Sequence, residues 1–123
     1  MRLSPETSTA GHVIRAYAPG RITVDKEVVT TSVVLTREHI LHDWPPTCFE
    51  DLSAPLIDAL ADLDPEVVLL GTGATLRFPD PRILAGLYHR RIGFEVMDTA
   101  AACRTFNILS GEGRRVVAAL LMI

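Results

Sequence analysis

Hydrophobic and polar positions in the first third of the chain alternate in short runs that predict β-strands. Val and Thr are concentrated over 27–35, and both residue types favour pleated, half-buried surfaces. Turn signals at Pro19-Gly20 and at Asp25-Lys26 separate the runs. The pattern predicts an N-terminal β-meander with strands over 12–18, 21–25 and 27–35, followed by a short strand over 39–41.

From residue 51 onward, helical periodicity alternates with continuous apolar runs, which is typical of a mixed sheet with packed helices. Ser53 and Asp80 have the chemistry of helix N-caps, each with a proline in the first turn, and Gly93 is expected at C′ of the second helix. Either Asp98 or Thr99 caps the third helix. The predicted order is helix 51–63, strand 66–70, short strand 75–78, helix 80–91, strand 94–97, helix 100–109 and strand 114–123.

These elements predict a single α/β domain with α+β character over 12–123, in which helices pack on a mixed sheet, after a flexible segment over 1–11. A length of 123 residues suits one domain. The strands over 66–70 and 94–97 are expected to be buried, parallel neighbours. The helix over 80–91 would join them by a right-handed crossover.

Composition and charge narrow the function classes. The chain is 48% hydrophobic, which excludes intrinsic disorder, and a net charge of −3 leaves no basic footprint for nucleic acid. No stretch approaches the ~18–20 apolar residues of a membrane span, and residues 1–20 show no secretory signal. With Cys48 and Cys103 expected to be free thiols, these features predict a cytoplasmic protein. The acids are concentrated over 38–76, either as a solvated face or as a docking surface.

No constellation of catalytic or metal-binding residues stands out. Cys48 and Cys103 lack both CxxC spacing and a neighbouring His, and Cys103 is expected to fill the core. His39 and His42 lie beside Asp43, a weaker match to a metal site than to an ordinary loop pair. No nucleophile elbow of the GxSxG type is present. We therefore expect no catalytic residue, no metal and no cofactor.

Polar residues at the ends of two neighbouring predicted strands mark one hypothetical pocket. In open α/β sheets, ligands bind at the carboxyl ends of the strands. Each residue also has an ordinary structural role, as a tight turn, a helix cap or an ion-pair partner. The hypothetical binding residues are Gly71, Thr72, Gly73, Asp98, Thr99, Arg104 and Asn107.

Trp44 is the only tryptophan and follows His42-Asp43 in a loop that continues with two prolines. It is interpreted as a hydrophobic plug for the loop, with a partner-facing anchor as the alternative.

Four segments of the second half resemble the Mth-like domain family of unknown function: VVLLGTG (67–73), RFP (77–79), IGFEVMDTAAACRTFNIL (92–109) and EGRRVVAALL (112–121). The segments YAPGRITVD (17–25) and SVVLT (32–36) agree with it. Signature positions of the family would be Gly71, Gly73, Phe78, Glu95, Asp98, Thr99, Thr105, Asn107, Glu112 and Arg114. Phe106 departs from the tyrosine common in the family.

The resemblance implies a three-layer mixed fold. The family includes the mitochondrial complex I assembly factor three and an adipogenesis-associated protein. The resemblance therefore implies that this chain is a non-enzymatic assembly or interaction factor with a protein partner. Nucleic-acid binding and membrane insertion are not expected, and a homo-oligomer is left open. The alternative function is a small-molecule-binding protein or an enzyme that uses the pocket around Gly71–Gly73 and Asp98–Asn107.

Overall fold

Two separate sheets hold the eight strands of residues 11–123, the part of the chain that the computed structural model describes. The smaller sheet is an antiparallel meander of three consecutive strands. It consists of β1 (Ile14–Ala18), β2 (Arg21–Val24) and β3 (Glu27–Val29). The larger sheet has the order β5-β4-β8-β6-β7, with β4 (Val33–Leu35), β5 (Ile40–Leu41), β6 (Val67–Gly71), β7 (Gly93–Met97) and β8 (Val116–Leu120).

Strand β6 organises the larger sheet because it pairs in parallel with β7 on one side and β8 on the other. Val67 lies opposite both Gly93 and Val116 in these two registers. Strand β4 adds to β8 in antiparallel orientation, and the two-residue strand β5 lies at the edge on that side. The predicted parallel pairing of the strands over 66–70 and 94–97 is confirmed.

In residues 11–123, three α-helices connect and cover the strands: α1 (Ala54–Asp58), α2 (Pro81–His89) and α3 (Thr99–Gly111). Short 3-10 turns, Phe49–Asp51 and Ala59–Leu63, flank α1. Ser53 and Asp80 cap their helices as predicted, by accepting the backbone N–H of Leu56 at 3.4 Å and of Arg82 at 2.9 Å. The third cap is Asp98, which accepts the N–H of Ala101 at 2.8 Å.

The core divides into two clusters, one on each face of the larger sheet. Alternate residues of a strand point to opposite faces, so Val67 and Leu69 join one cluster while Val68 and Leu70 join the other. The first cluster packs under α3 and the three-stranded sheet, and the second packs under α1 and α2. This confirms the three-layer mixed arrangement. Trp44 is buried in the second cluster, which confirms the plug interpretation.

Several predicted boundaries are wrong. The single strand over 27–35 divides into β3 and β4, which belong to different sheets. The predicted strand over 75–78 is a loop, and the predicted helix over 51–63 is α1 between two 3-10 turns. Local propensity carries no information about which sheet a segment joins. A 3-10 segment of one or two turns is too short for its period of about 3.0 residues to be distinguished from the α-helical period of about 3.6.

The end of α2 is also different from the prediction. Arg91, with φ 59°, occupies the left-handed position that Gly93 was expected to take. The N–H of Arg91 donates to Tyr88 O and the N–H of Ile92 donates to Leu87 O, both at 3.0 Å, which is the Schellman pattern. Gly93 instead begins β7, which lies at the sheet edge and is not buried on both faces as expected.

Phe106 tests the layer between the two sheets. Its side chain is fully buried in the first cluster, so Phe106→Ala should lower the free energy of unfolding by about 3–5 kcal/mol, measured by urea denaturation. Ile108 lies on the same helix and is 60% exposed, so Ile108→Ala should stay within about 0.5 kcal/mol of the parent. Equal losses in the two variants would contradict this assignment of the core.

Candidate functional site

The carboxyl ends of β6 and β7 meet at one edge of the larger sheet, as parallel neighbours must. The N–H of Thr72 donates to Met97 O at 2.9 Å, and the N–H of Thr99 donates to Gly73 O at 2.8 Å. The structure therefore brings Gly71–Gly73 together with Asp98 and Thr99. These are five of the seven residues predicted for the pocket.

The hydroxyl of Thr99 is the centre of this junction. Its side chain is 1% exposed. Oγ1 accepts the N–H of Gly73 at 2.8 Å and donates to Leu121 O at 2.9 Å. One side chain at the start of α3 thus holds the segments that follow β6 and β8.

Both glycines of the junction are required by close packing. A Cβ at Gly71 would lie 2.9 Å from Thr99 Oγ1 and 3.0 Å from Leu120 Cδ2. Gly73 has φ +99°, and a Cβ there would lie 2.5 Å from Ile123 Cγ1. The contacts of Gly71 and Gly73 therefore agree with the tight-turn interpretation of the GTG sequence.

The hydroxyl of Thr72 is engaged as well. It donates to Thr75 O at 2.8 Å and accepts the N–H of Arg77 at 3.1 Å. These bonds fold the chain back on itself immediately after β6. They also explain why 75–78 is not a strand, because Thr72 binds backbone groups that a neighbouring strand would otherwise pair.

The other two predicted pocket residues do not meet this junction. Asn107 accepts the N–H of Ile14 at 2.9 Å and donates to Ile14 O at 2.8 Å, so it binds β1 to α3. It lies nine residues beyond Asp98, about 13 Å along the helix. Arg104 is exposed and forms no ion pair with Asp98 or Glu95. A small-molecule site that uses all seven residues stays a prediction.

Two other side chains that could carry chemistry, Cys103 and His42, are respectively buried in the core and paired with a carboxylate. Burial raises the pKa of the Cys103 thiol to about 12, and its side chain fills the first cluster as predicted. His42 Nε2 lies 3.0 Å from Glu27 Oε2. Across residues 11–123, no group of three or more His, Cys, Asp and Glu side chains is placed to hold a metal ion.

The loop after Thr72 presents apolar side chains to the surface. Phe78 is 73% exposed and Leu76 is 46% exposed. Between them, the Arg77 guanidinium lies 4.1 Å from the centroid of the Phe49 ring and donates to Glu50 at 2.8 Å. The same hydrogen bond lowers the pKa of Glu50. The loop is thus attached to the body at Arg77 while Phe78 stays outside.

Sequence reasoning attached no role to this exposed phenylalanine. Phe78 was singled out only as a signature position of the resembled family. The signal in the sequence is a large aromatic residue between Arg77 and Pro79, at the end of the short strand predicted over 75–78.

Comparisons with known proteins bear on this geometry. A family model described as "Protein of unknown function (DUF498/DUF598)" matches residues 14–121. A curated relative from Danio rerio, NADH dehydrogenase [ubiquinone] 1 alpha subcomplex assembly factor 3, is 35% identical over 116 residues. That match covers 93% of this chain and 66% of the relative, so the chain spans just under two thirds of the relative's length.

Two solved structures share the fold. A crystal structure of a Bordetella parapertussis protein has a TM-score of 0.88 and 38% identity, covering 97% of this chain and 100% of that one. A Bordetella pertussis protein described as a Mth938-like domain has a TM-score of 0.81 and 32% identity, covering 99% of this chain and 92% of that one. The resemblance to the Mth-like domain family is confirmed. Within residues 11–123, no helix is long and apolar enough to cross a membrane.

Thr99→Val tests the junction because valine keeps the shape of threonine and removes the hydroxyl. Gly73 N–H and Leu121 O would then be buried without a partner. We expect a loss of about 2–4 kcal/mol in unfolding free energy, measured by urea denaturation. Thr75 is exposed, so Thr75→Val should change stability by less than about 0.5 kcal/mol. A Thr99→Val variant as stable as the parent would show that the hydroxyl bridge contributes nothing.

Proposed function

The chain belongs to the DUF498/DUF598 family of proteins of unknown function, and we propose that it is a non-enzymatic accessory protein that binds a protein partner during assembly of a multisubunit complex. The curated relative of 35% identity is named as an assembly factor for the NADH dehydrogenase 1 alpha subcomplex, and the match covers 93% of this chain. A respiratory NADH dehydrogenase is therefore the complex to test first.

The exposed phenylalanine in the loop that follows β6 is the observation that carries the proposal. Phe78 leaves 73% of its surface in water, where an aromatic side chain gains nothing for the fold. Aromatic residues, phenylalanine included, are enriched in protein–protein interfaces relative to the rest of the protein surface. Phe78 with Leu76 is suited to insertion into an apolar pocket of a partner.

The attachment of the loop favours binding over simple exposure. The Thr72 hydroxyl bonds and the Arg77 contacts with Phe49 and Glu50 hold the backbone on both sides of Leu76. A segment that is already ordered loses less conformational entropy when it binds. The loop thus presents Phe78 on a preorganised support.

The small-molecule alternative has less support. The hydroxyls of Thr72 and Thr99 would have to exchange internal partners for a ligand, at a cost in stability. A cytoplasmic location belongs to the proposal, because Cys48 and Cys103 are both free thiols, as expected in a reducing compartment.

A chimera tests the proposal. This chain would replace the matched region of the Danio rerio assembly factor, in zebrafish cells that lack that factor, and assembled NADH dehydrogenase would be measured on native gels. The parent chimera should restore the complex. Phe78→Ala should reduce the restored amount at least fivefold, because a central aromatic contact is worth at least ~1–2 kcal/mol.

Ile108→Ala is the matched control, since it removes an exposed apolar side chain from α3 and should leave assembly unchanged. Protein levels of all chimeras would be compared by immunoblot. A correctly folded, normally abundant parent chimera that restores no complex would contradict the assembly role. Full restoration by Phe78→Ala would remove Phe78 from it.

A further inference from the structure

The larger sheet has two edge strands in the part of the chain that the structure describes, the two-residue β5 and the five-residue β7, and the longer edge runs along β7. Within residues 11–123, β7 pairs only with β6. Gly93 N–H donates to Glu66 O at 3.0 Å, and Met97 O accepts the N–H of Thr72 at 2.9 Å. Successive residues of a strand alternate in direction, so the N–H and C=O groups of Phe94 and Val96 point away from β6. They form a short, unpaired backbone template.

An apolar shelf lies beside this edge. The last turn of α2 and the start of β7 border an open concavity of about 680 Å³, and Tyr88, Ile92 and Phe94 are among the residues that line it. Tyr88 is 74% exposed and its ring meets the His89 ring edge-on, with 6.3 Å between the centroids. Side chains of a strand added at β7 would have an aromatic surface to cover.

The amino end of the edge is positively charged. Arg90 and Arg91 form no ion pair within residues 11–123, whereas Arg114 and Arg115, across a second concavity of about 540 Å³, face acids of this chain. Arg91 and Ile92 line both concavities, so the apolar shelf runs directly into the charged end. A ligand on the shelf would bring its end to two guanidinium groups that lack a carboxylate.

The backbone conformation of Arg91 also indicates a role for its side chain. Arg91 has φ 59°, in the left-handed region that glycine occupies with least strain. An arginine at this position gives up stability that glycine would supply. Binding of a ligand by the Arg91 side chain would compensate for this loss of stability.

We propose that β7 is a docking edge for an extended segment of a partner protein, which adds as a strand and places one or more carboxylates at Arg90 and Arg91. Backbone bonds to Phe94 and Val96 would supply affinity, while the shelf and the arginines would select apolar and acidic side chains. The inference deepens the proposed function, because it names the segment that such a partner would offer.

Other occupants fit this edge less well. A second copy that pairs antiparallel about the middle of β7 would set Glu95 opposite Glu95, and like charges directly opposite are destabilising. A nucleic acid would meet a protein with a net charge of −3, and the second concavity also contains Asp64 and Glu66.

Labelled peptides test the edge on the full chain. The acidic probe is Asp-Asp-Val-Thr-Val-Thr-Val, the basic control is Lys-Lys-Val-Thr-Val-Thr-Val, and a third probe is the acidic peptide with its alternate amides N-methylated. Fluorescence polarisation should show saturable binding of the acidic probe, at least tenfold weaker binding of the basic control, and no binding of the methylated probe. Equal binding of the acidic and basic probes, or of the acidic and methylated probes, would overturn the proposal.

Variants of the chain separate charge from backbone pairing. Arg91→Gly should weaken binding of the acidic probe about tenfold, as expected for a lost charge-assisted contact. It should also raise the melting temperature by about 2–5 °C as the strain is relieved. Arg21→Ala removes one exposed positive charge from β2 and should leave binding unchanged. Unchanged binding by Arg91→Gly would overturn the role of the charged end.

Val96→Pro removes an outward N–H without breaking a hydrogen bond to β6, so the variant should fold. It should no longer bind the acidic probe, whereas Val96→Thr should still bind it. If Val96→Pro does not fold, the methylated probe decides the same point. Tighter binding of inorganic phosphate or single-stranded RNA than of the acidic probe, or a dimer in sedimentation that Val96→Pro dissolves, would overturn the proposal. In the zebrafish chimera, assembly lost with Phe78→Ala but retained with Val96→Pro would reject the docking edge and keep the proposed function.

Discussion

The burial of β6 and β8 on both faces is the constraint on which the rest of the structure depends. Every residue of these two strands is buried, so each face of the larger sheet needs its own cover. Helices α1 and α2 cover one face, and α3 with the three-stranded sheet covers the other. The three layers follow from this requirement. Strand β7 pairs beside β6 and covers no face of the sheet, so it can lie at the edge.

The two ends of the parallel strands then differ in character. At the carboxyl ends, Thr99 binds the segments that follow β6 and β8, and internal bonds use the polar groups of the junction. At the amino ends, the chain enters β7 through Arg90 and Arg91, which have no acidic partner within the described residues. Exposed apolar surface accompanies both ends, at Phe78 and at Tyr88. This distribution of exposed apolar and charged groups is the basis of the proposed interaction role.

Much of the fold was predictable, and the reasons for the exceptions are physical. Helix caps at Ser53 and Asp80 were identified because a short polar side chain before a proline acts locally. The capping role of Asp98 and the buried bridge of Thr99 could not be separated in the sequence, because the choice depends on where Gly73 and Leu121 lie. The hydrogen bonds of Asn107 to Ile14 could not be read from the sequence for the same reason, since the two residues are 93 positions apart.

Most helices and strands, the parallel pairing of β6 with β7 and the family resemblance could be read from the chain alone, because they rest on local periodicity, short connections and contiguous motifs. Only contacts made in three dimensions settle which strands share a sheet, which polar groups are already bonded and which strands lie at an edge. Those outcomes depend on contacts between residues far apart in the chain, and hydrogen-bond satisfaction at a given atom is a property of its three-dimensional surroundings. The exposure of Phe78 and the unpaired backbone of β7 belong to this second group.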